Sequence, residues 1–165
     1  MVNLCYLKNS FKVFFLLSGL TFLSGCFDFG KKDTKKPDLL VINVLDKESY
    51  DDCHIPGSIQ VDMMKVKDYV VPYPKTTQIV VYCSNYACTA STYVVKKLKK
   101  DGFEHVWDYA AGMAGWYKDK FPVTGPAKAE YLELPNPVLE AHPEGVDVIS
   151  TEDLKKLLEA HELSK

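Results

Sequence analysis

The fold class this sequence predicts is α/β, a single domain with a mostly parallel sheet and helices on both faces. Three short strand-like runs, Leu39–Leu45, Ile79–Tyr82 and His105–Tyr109, are rich in the apolar and aromatic residues of strands buried on both faces. Helical stretches at Met63–Val70 and Ala90–Lys100 separate them, and strands alternating with helices call for parallel pairing. The 165-residue chain is 47% hydrophobic and 25% charged, which excludes a disordered or fibrous protein and suits one ordinary domain.

The ordered domain is expected to begin only at Leu39. Residues 1–25 place Lys8 and Lys12 before an apolar run, Val13–Leu23, that is too short for a spanning helix and has the length of a secretory signal core. The run ends in Leu23-Ser24-Gly25-Cys26, which resembles the bacterial lipobox and implies lipid attachment at Cys26. The expected location is therefore the bacterial cell envelope, with the domain outside the cytoplasm and the membrane contacted through the lipid. Residues 26–38, with Lys31, Lys32, Lys35, Lys36, Gly30 and Pro37, read as a flexible tether.

Within the core assigned to residues 39–124, the helix at Ala90–Lys100 is the best defined. Val94, Val95 and Leu98 share one face, Lys96, Lys97, Lys99 and Lys100 cover the other, and Asp101-Gly102 ends it. Residues 125–145 hold Pro126, Pro135, Pro137 and Pro143 without sustained periodicity and read as a connector. In the final segment, 146–165, Val146–Ile149 is a strand candidate. Ser150 and Asp153 form a capping box ahead of an amphipathic helix carrying Leu154, Leu157 and Leu158.

Charge narrows the functional classes. The net charge of −2 argues against a general nucleic-acid binder. All twenty basic residues are Lys, so chemistry that needs a bidentate guanidinium from this chain is excluded. No metal site or cofactor is called for.

The residues with the strongest chemical signal follow the second strand: Cys83-Ser84-Asn85-Tyr86-Ala87-Cys88-Thr89, leading into the helix at Ala90. In an open parallel sheet, ligands bind beyond the carboxyl ends of strands, where helix N-termini present unpaired N–H groups. A thiol there is expected to have a lowered pKa and to attack sulfur or another soft electrophile. On local sequence alone, a buried structural cysteine is an equal alternative.

Three segments in order make the chain resemble the rhodanese (sulfurtransferase) domain family over Leu39–Val123. Asp52-Cys53-His54-Ile55-Pro56-Gly57-Ser58-Ile59 resembles the family's G-H-I-P-G-A-I turn, and Tyr82-Cys83 with the following loop its active-site segment. Gly102–Val106 and Ala110–Trp116 resemble its G-F-x-x-V strand and G-G-x-x-x-W segment. The resemblance implies a rhodanese-like fold and a Cys83 persulfide held by backbone N–H groups of Ser84–Thr89. Sulfane sulfur would pass from a small donor to a thiol acceptor. His54 and Trp116 read as turn and core residues, and Cys53 as incidental.

The chain departs from the family pattern at several positions. Asn43-Val44-Leu45 stands where the family often has D-V-R, the active loop is about two residues longer, and no Lys or Arg lies between Ser84 and Thr92. A phosphatase C-x5-R loop is excluded because the chain has no Arg. Cys88 is either a packed small residue or a resolving thiol that attacks a Cys83 persulfide and leaves a disulfide. Two other functions stay open: a thiol–disulfide redox protein using Cys83 and Cys88, and a rhodanese-like binding module without turnover. The family's opening strand and helix, roughly I-S-x-E-E-L-K-x-L-L, is absent before Leu39, yet Val148–Leu158 resembles it. This points to a circular permutation, with the carboxyl-terminal strand and helix completing the domain; a helix exchanged with a second molecule, a truncated second domain and a free amphipathic tail are the alternatives.

Overall fold

A computed structural model of the chain describes residues 37–135 and 144–163. The expected signal segment, Cys26 and nearly all of the tether lie outside the described residues, as does the middle of the 125–145 connector. Among the described residues, no helix is long and apolar enough to cross a membrane.

The elements run β1 (Leu39–Asn43), α1 (Lys47–Asp52), β2 (Ile59–Gln60), α2 (Val66–Val70), β3 (Gln78–Tyr82), α3 (Ala90–Lys100), β4 (His105–Tyr109), α4 (Gly112–Lys118), a 3-10 turn (Glu130–Leu132) and α5 (Thr151–Leu163). The strands form one parallel sheet in the order β2-β1-β3-β4. Side chains alternate across it. Leu40, Ile42, Ile79 and Val81 pack under Val66, Val70, Val94, Val95 and Leu98 of α2 and α3. Leu39, Val41, Val80 and Tyr82 face Met113, Trp116, Leu132 and Leu154 on the other side. The same alternation carries Cys83, one residue beyond β3, to the α2–α3 face, beneath the start of α3.

Several boundaries differ from the sequence expectation, each for a local reason. β1 stops at Asn43 rather than Leu45 because the Asn43 Oδ1 accepts the Leu45 N–H (2.7 Å), turning the chain. The helix expected from Met63 starts at Val66, since Asp62 first captures the Met64 N–H with its side chain and the Lys65 N–H with its carbonyl. Helix α1, which apolar periodicity does not reveal, is capped by Asp46, whose carboxylate accepts the Ser49 N–H at 2.9 Å.

Residues 125–135 are more than a bare connector. The Asp52 carboxylate accepts the N–H groups of Lys128 and Ala129, and Leu132 is fully buried. After the undescribed middle, the expected strand at Val146–Ile149 reduces to one parallel bridge, Val148 to Asp108, at the free edge of β4. The Asp108 N–H donates to Asp147 O (2.8 Å) and the Ile149 N–H to Asp108 O (3.1 Å). The Ser150 capping interaction is present, with the Asp153 N–H donating to Ser150 Oγ at 3.1 Å. Leu154 is wholly buried in the cluster that holds Leu39 and Val41.

Candidate functional site

The loop between β3 and α3 brings Cys83 and Cys88 together. Cys83 continues β3, so the residue is only 1% exposed, directly under the loop. Its S–H points to the Cys88 carbonyl at 3.3 Å, and the Ser91 Oγ lies 3.4 Å from the sulfur. Cys88 is partly exposed, and both cysteines are free thiols. The loop is shaped by Asn85, whose side-chain oxygen accepts the Ala87 N–H and whose carbonyl accepts the Cys88 N–H, both at 3.0 Å. These two bonds turn the chain back so that Cys88 sits over Cys83. Thr89 occupies the N-cap of α3 without a side-chain cap bond.

Helix α4 clamps the start of the loop. The Met113 and Ala114 N–H groups donate to the Cys83 and Ser84 carbonyls, each at 2.9 Å. This contact requires Gly112: its φ is +61°, and a Cβ there would fall 2.7 Å from the Cys83 carbonyl oxygen.

The electrostatics reverse the sequence expectation of a lowered Cys83 thiol. The hydrogen bond with Cys88, reinforced by burial, pushes the Cys83 thiol far above its ordinary value. Cys88 is instead pulled down to about 5, first by its hydrogen bond to Cys83 and then by the Ala90 and Ser84 N–H groups and the Ser84 hydroxyl. Of two neighbouring thiols in one loop only one ionises readily, and the charge settles on the less buried one. The N-terminal N–H groups assigned from sequence to Cys83 therefore largely serve Cys88, with Ser91 alone serving Cys83. Alkylation of Cys88 by iodoacetamide is expected to fall to half its plateau only as pH drops to about 5, because acid removes the thiolate. A midpoint at the ordinary thiol value of 9.0 would reject this charge placement.

The other residues singled out from sequence are structural. His54 exchanges backbone hydrogen bonds with Thr124, its ring donates from Nδ1 to the Tyr50 carbonyl (2.7 Å), and it stacks on Tyr50. Trp116 is buried, with its indole N–H on the Pro122 carbonyl (2.8 Å). Cys53 is fully buried, and burial raises its thiol to about 11. Among the described residues, no group of three or more His, Cys, Asp or Glu side chains is placed to hold a metal ion.

Sequence reasoning missed two contributors. Ser91 reaches Cys83 from the first turn of α3; a polar residue on the buried face of an otherwise apolar helix was the signal for it. The carboxyl-terminal segment also borders the site: Tyr86 of the loop shares an open depression with Asp119, Asp147, Ser150 and Glu152. No local sequence signal links those residues, because Asp119 lies more than thirty positions from Tyr86 and the others more than sixty.

Known proteins fit this architecture. The chain is 30% identical over 82 residues to the thiosulfate sulfurtransferase GlpE of Coxiella burnetii, covering 50% of this chain and 75% of that protein. A crystal structure of a Bacillus halodurans protein superposes with a TM-score of 0.51 at 31% identity, over 57% of this chain and 70% of that one. A rhodanese-like domain from Anabaena sp. gives a TM-score of 0.48 at 27% identity, over 53% of this chain and 88% of that domain. The family model for the rhodanese-like domain matches residues 30–119. With a four-stranded parallel sheet covered on both faces and a cysteine loop at its carboxyl edge, the chain belongs to the rhodanese-like domain family.

Proposed function

We propose that this chain is an envelope-anchored sulfurtransferase that moves sulfane sulfur through a persulfide on Cys83. The observation that carries the reading is the placement of Cys83 at the end of β3, beneath the Cys88 loop and beside Ser91 in the first turn of α3. A persulfide is an anion at neutral pH, and unpaired helix-start N–H groups stabilise it without a cationic side chain. Similarity to a thiosulfate sulfurtransferase supports the reaction class. The loop has no lysine and its neighbouring depression carries Asp119 and Glu152, so a thiol persulfide, with a single negative charge on its sulfurs, suits it better than the thiosulfate dianion.

Cys83→Ser is expected to reduce turnover to background, because a hydroxyl forms no persulfide and is scarcely ionised at neutral pH. Undiminished transfer from polysulfide to a thiol acceptor would reject the assignment. The anchoring part rests on Cys26 and has its own test. Cys26→Ala is expected to stop radiolabelled fatty-acid incorporation and membrane retention; continued labelling would place the lipid elsewhere.

A second reading, a thiol–disulfide redox protein, is favoured by the two free thiols that the loop holds as neighbours. A Cys83–Cys88 disulfide with a defined reduction potential, and no sulfur loading, would select it.

A further inference from the structure

We infer that sulfur enters and leaves this site through Cys88, with Cys83 acting as the buried store beneath it. The inference rests on the sulfurtransferase reading above and reverses the order in which a resolving Cys88 would act. Three features of the loop carry it. Cys83 is sealed, with 1% exposure, whereas Cys88 is partly exposed. The Cys83 S–H is directed into the loop, at the Cys88 carbonyl and Ser91 Oγ, rather than outward. Asn85 accepts the Ala87 and Cys88 N–H groups, folding the loop so that Cys88 lies outside Cys83, and the Ser84 and Ala90 N–H groups favour the Cys88 thiolate.

An external donor therefore meets Cys88 first, and it meets it as a thiolate. The Cys88 thiolate attacks the outer sulfane sulfur of a polysulfide or thiol persulfide. One S–S bond forms, the donor's S–S bond breaks, and the donor leaves as a thiolate with the electron pair. Cys83 then gives its proton to the terminal sulfur of the Cys88 persulfide anion and attacks that same outer sulfur. The bond from that sulfur to Cys88 Sγ breaks, and Cys88 departs as the thiolate that its N–H donors stabilise. Each step exchanges one S–S bond for another, so no oxidant or reductant is needed. By microscopic reversibility, a thiol acceptor collects the sulfur over the same path, from Cys88.

The two cysteines can be followed separately, since chymotrypsin cuts after Tyr82, Tyr86 and Tyr93 and puts them on different peptides. The full-length protein would receive substoichiometric inorganic polysulfide, followed by quenching with iodoacetamide over a time course. The gain of one sulfur atom is expected first on the peptide holding Cys88 and later on the one holding Cys83. In Cys88→Ser, loading of Cys83 should slow by about tenfold or more, since the more accessible thiolate is gone. In Cys83→Ser, Cys88 should still load at the wild-type rate and the sulfur should move no further inward. First labelling of Cys83, or wild-type loading of Cys83 in Cys88→Ser, would overturn the inference and leave the sulfurtransferase reading intact. Absence of sulfur on both peptides of the wild type would remove both. The wild-type time course needs no variant, so a misfolded substitution cannot mask the answer.

Discussion

Leu154→Ala is expected to destabilise the domain by about 2–5 kcal/mol and to lower its Tm by roughly 10–15 °C. Leu154 is fully buried against Leu39, Val41, Val80 and Tyr82, so truncation leaves a cavity that β1 and β3 cannot close without losing their pairing. The helix is also held by the Tyr109 hydroxyl, which lies 2.9 Å from Thr151 Oγ1 in the buried interior. Thermal unfolding by circular dichroism measures the effect, and a shift within a degree or two would show that α5 adds nothing to the core. Removing everything after Gly145 should cost more still, because it also strips the bridge between Val148 and Asp108 from the edge of β4. The circular permutation expected from the sequence is our proposed account of this arrangement. A helix exchanged between two molecules is the rival, and it would make the protein a dimer whose α5 contacts vanish on dilution.

Gly112→Ala is the second change with a large expected effect, about 2–4 kcal/mol in stability together with loss of sulfur transfer. The new Cβ would lie 2.7 Å from both the Cys83 carbonyl oxygen and the Ser84 carbonyl carbon, on a backbone at φ +61°. Backbone atoms cannot step aside as a flexible side chain can, so either α4 withdraws or the loop does. Withdrawal breaks the hydrogen bonds from Met113 and Ala114 to Cys83 and Ser84, and the two thiols lose their fixed separation. Thermal unfolding and persulfide loading should therefore fall together. Normal loading in a folded Gly112→Ala protein would show that the clamp is not needed for chemistry.

Much of the fold was legible because it is written in local pattern. The apolar runs placed β1, β3 and β4 within a residue or two at each end, and the spacing of Val94, Val95 and Leu98 located α3 with its bounds. Ser150 and Asp153 announced the start of α5, since a cap is a three-residue interaction. Helices α1 and α4 were not legible in the same way. α1 buries none of its residues, so it has no apolar stripe to read, and α4 is seven residues of which five are buried, so it has no polar face.

For the site, the sequence by itself determined that a cysteine ends a central strand and that a second thiol follows in the same loop. It also determined that no guanidinium is available and that the surrounding motifs are those of one family. Which thiol carries the charge was decided only by tertiary structure. Strand alternation points Cys83 inward, while Asn85 folds the loop so that Cys88 stays near solvent and takes the N–H groups of Ser84 and Ala90. A thiolate's energy depends on how many donors reach it and how much water it keeps, and both are properties of packing between segments rather than of residues adjacent in sequence.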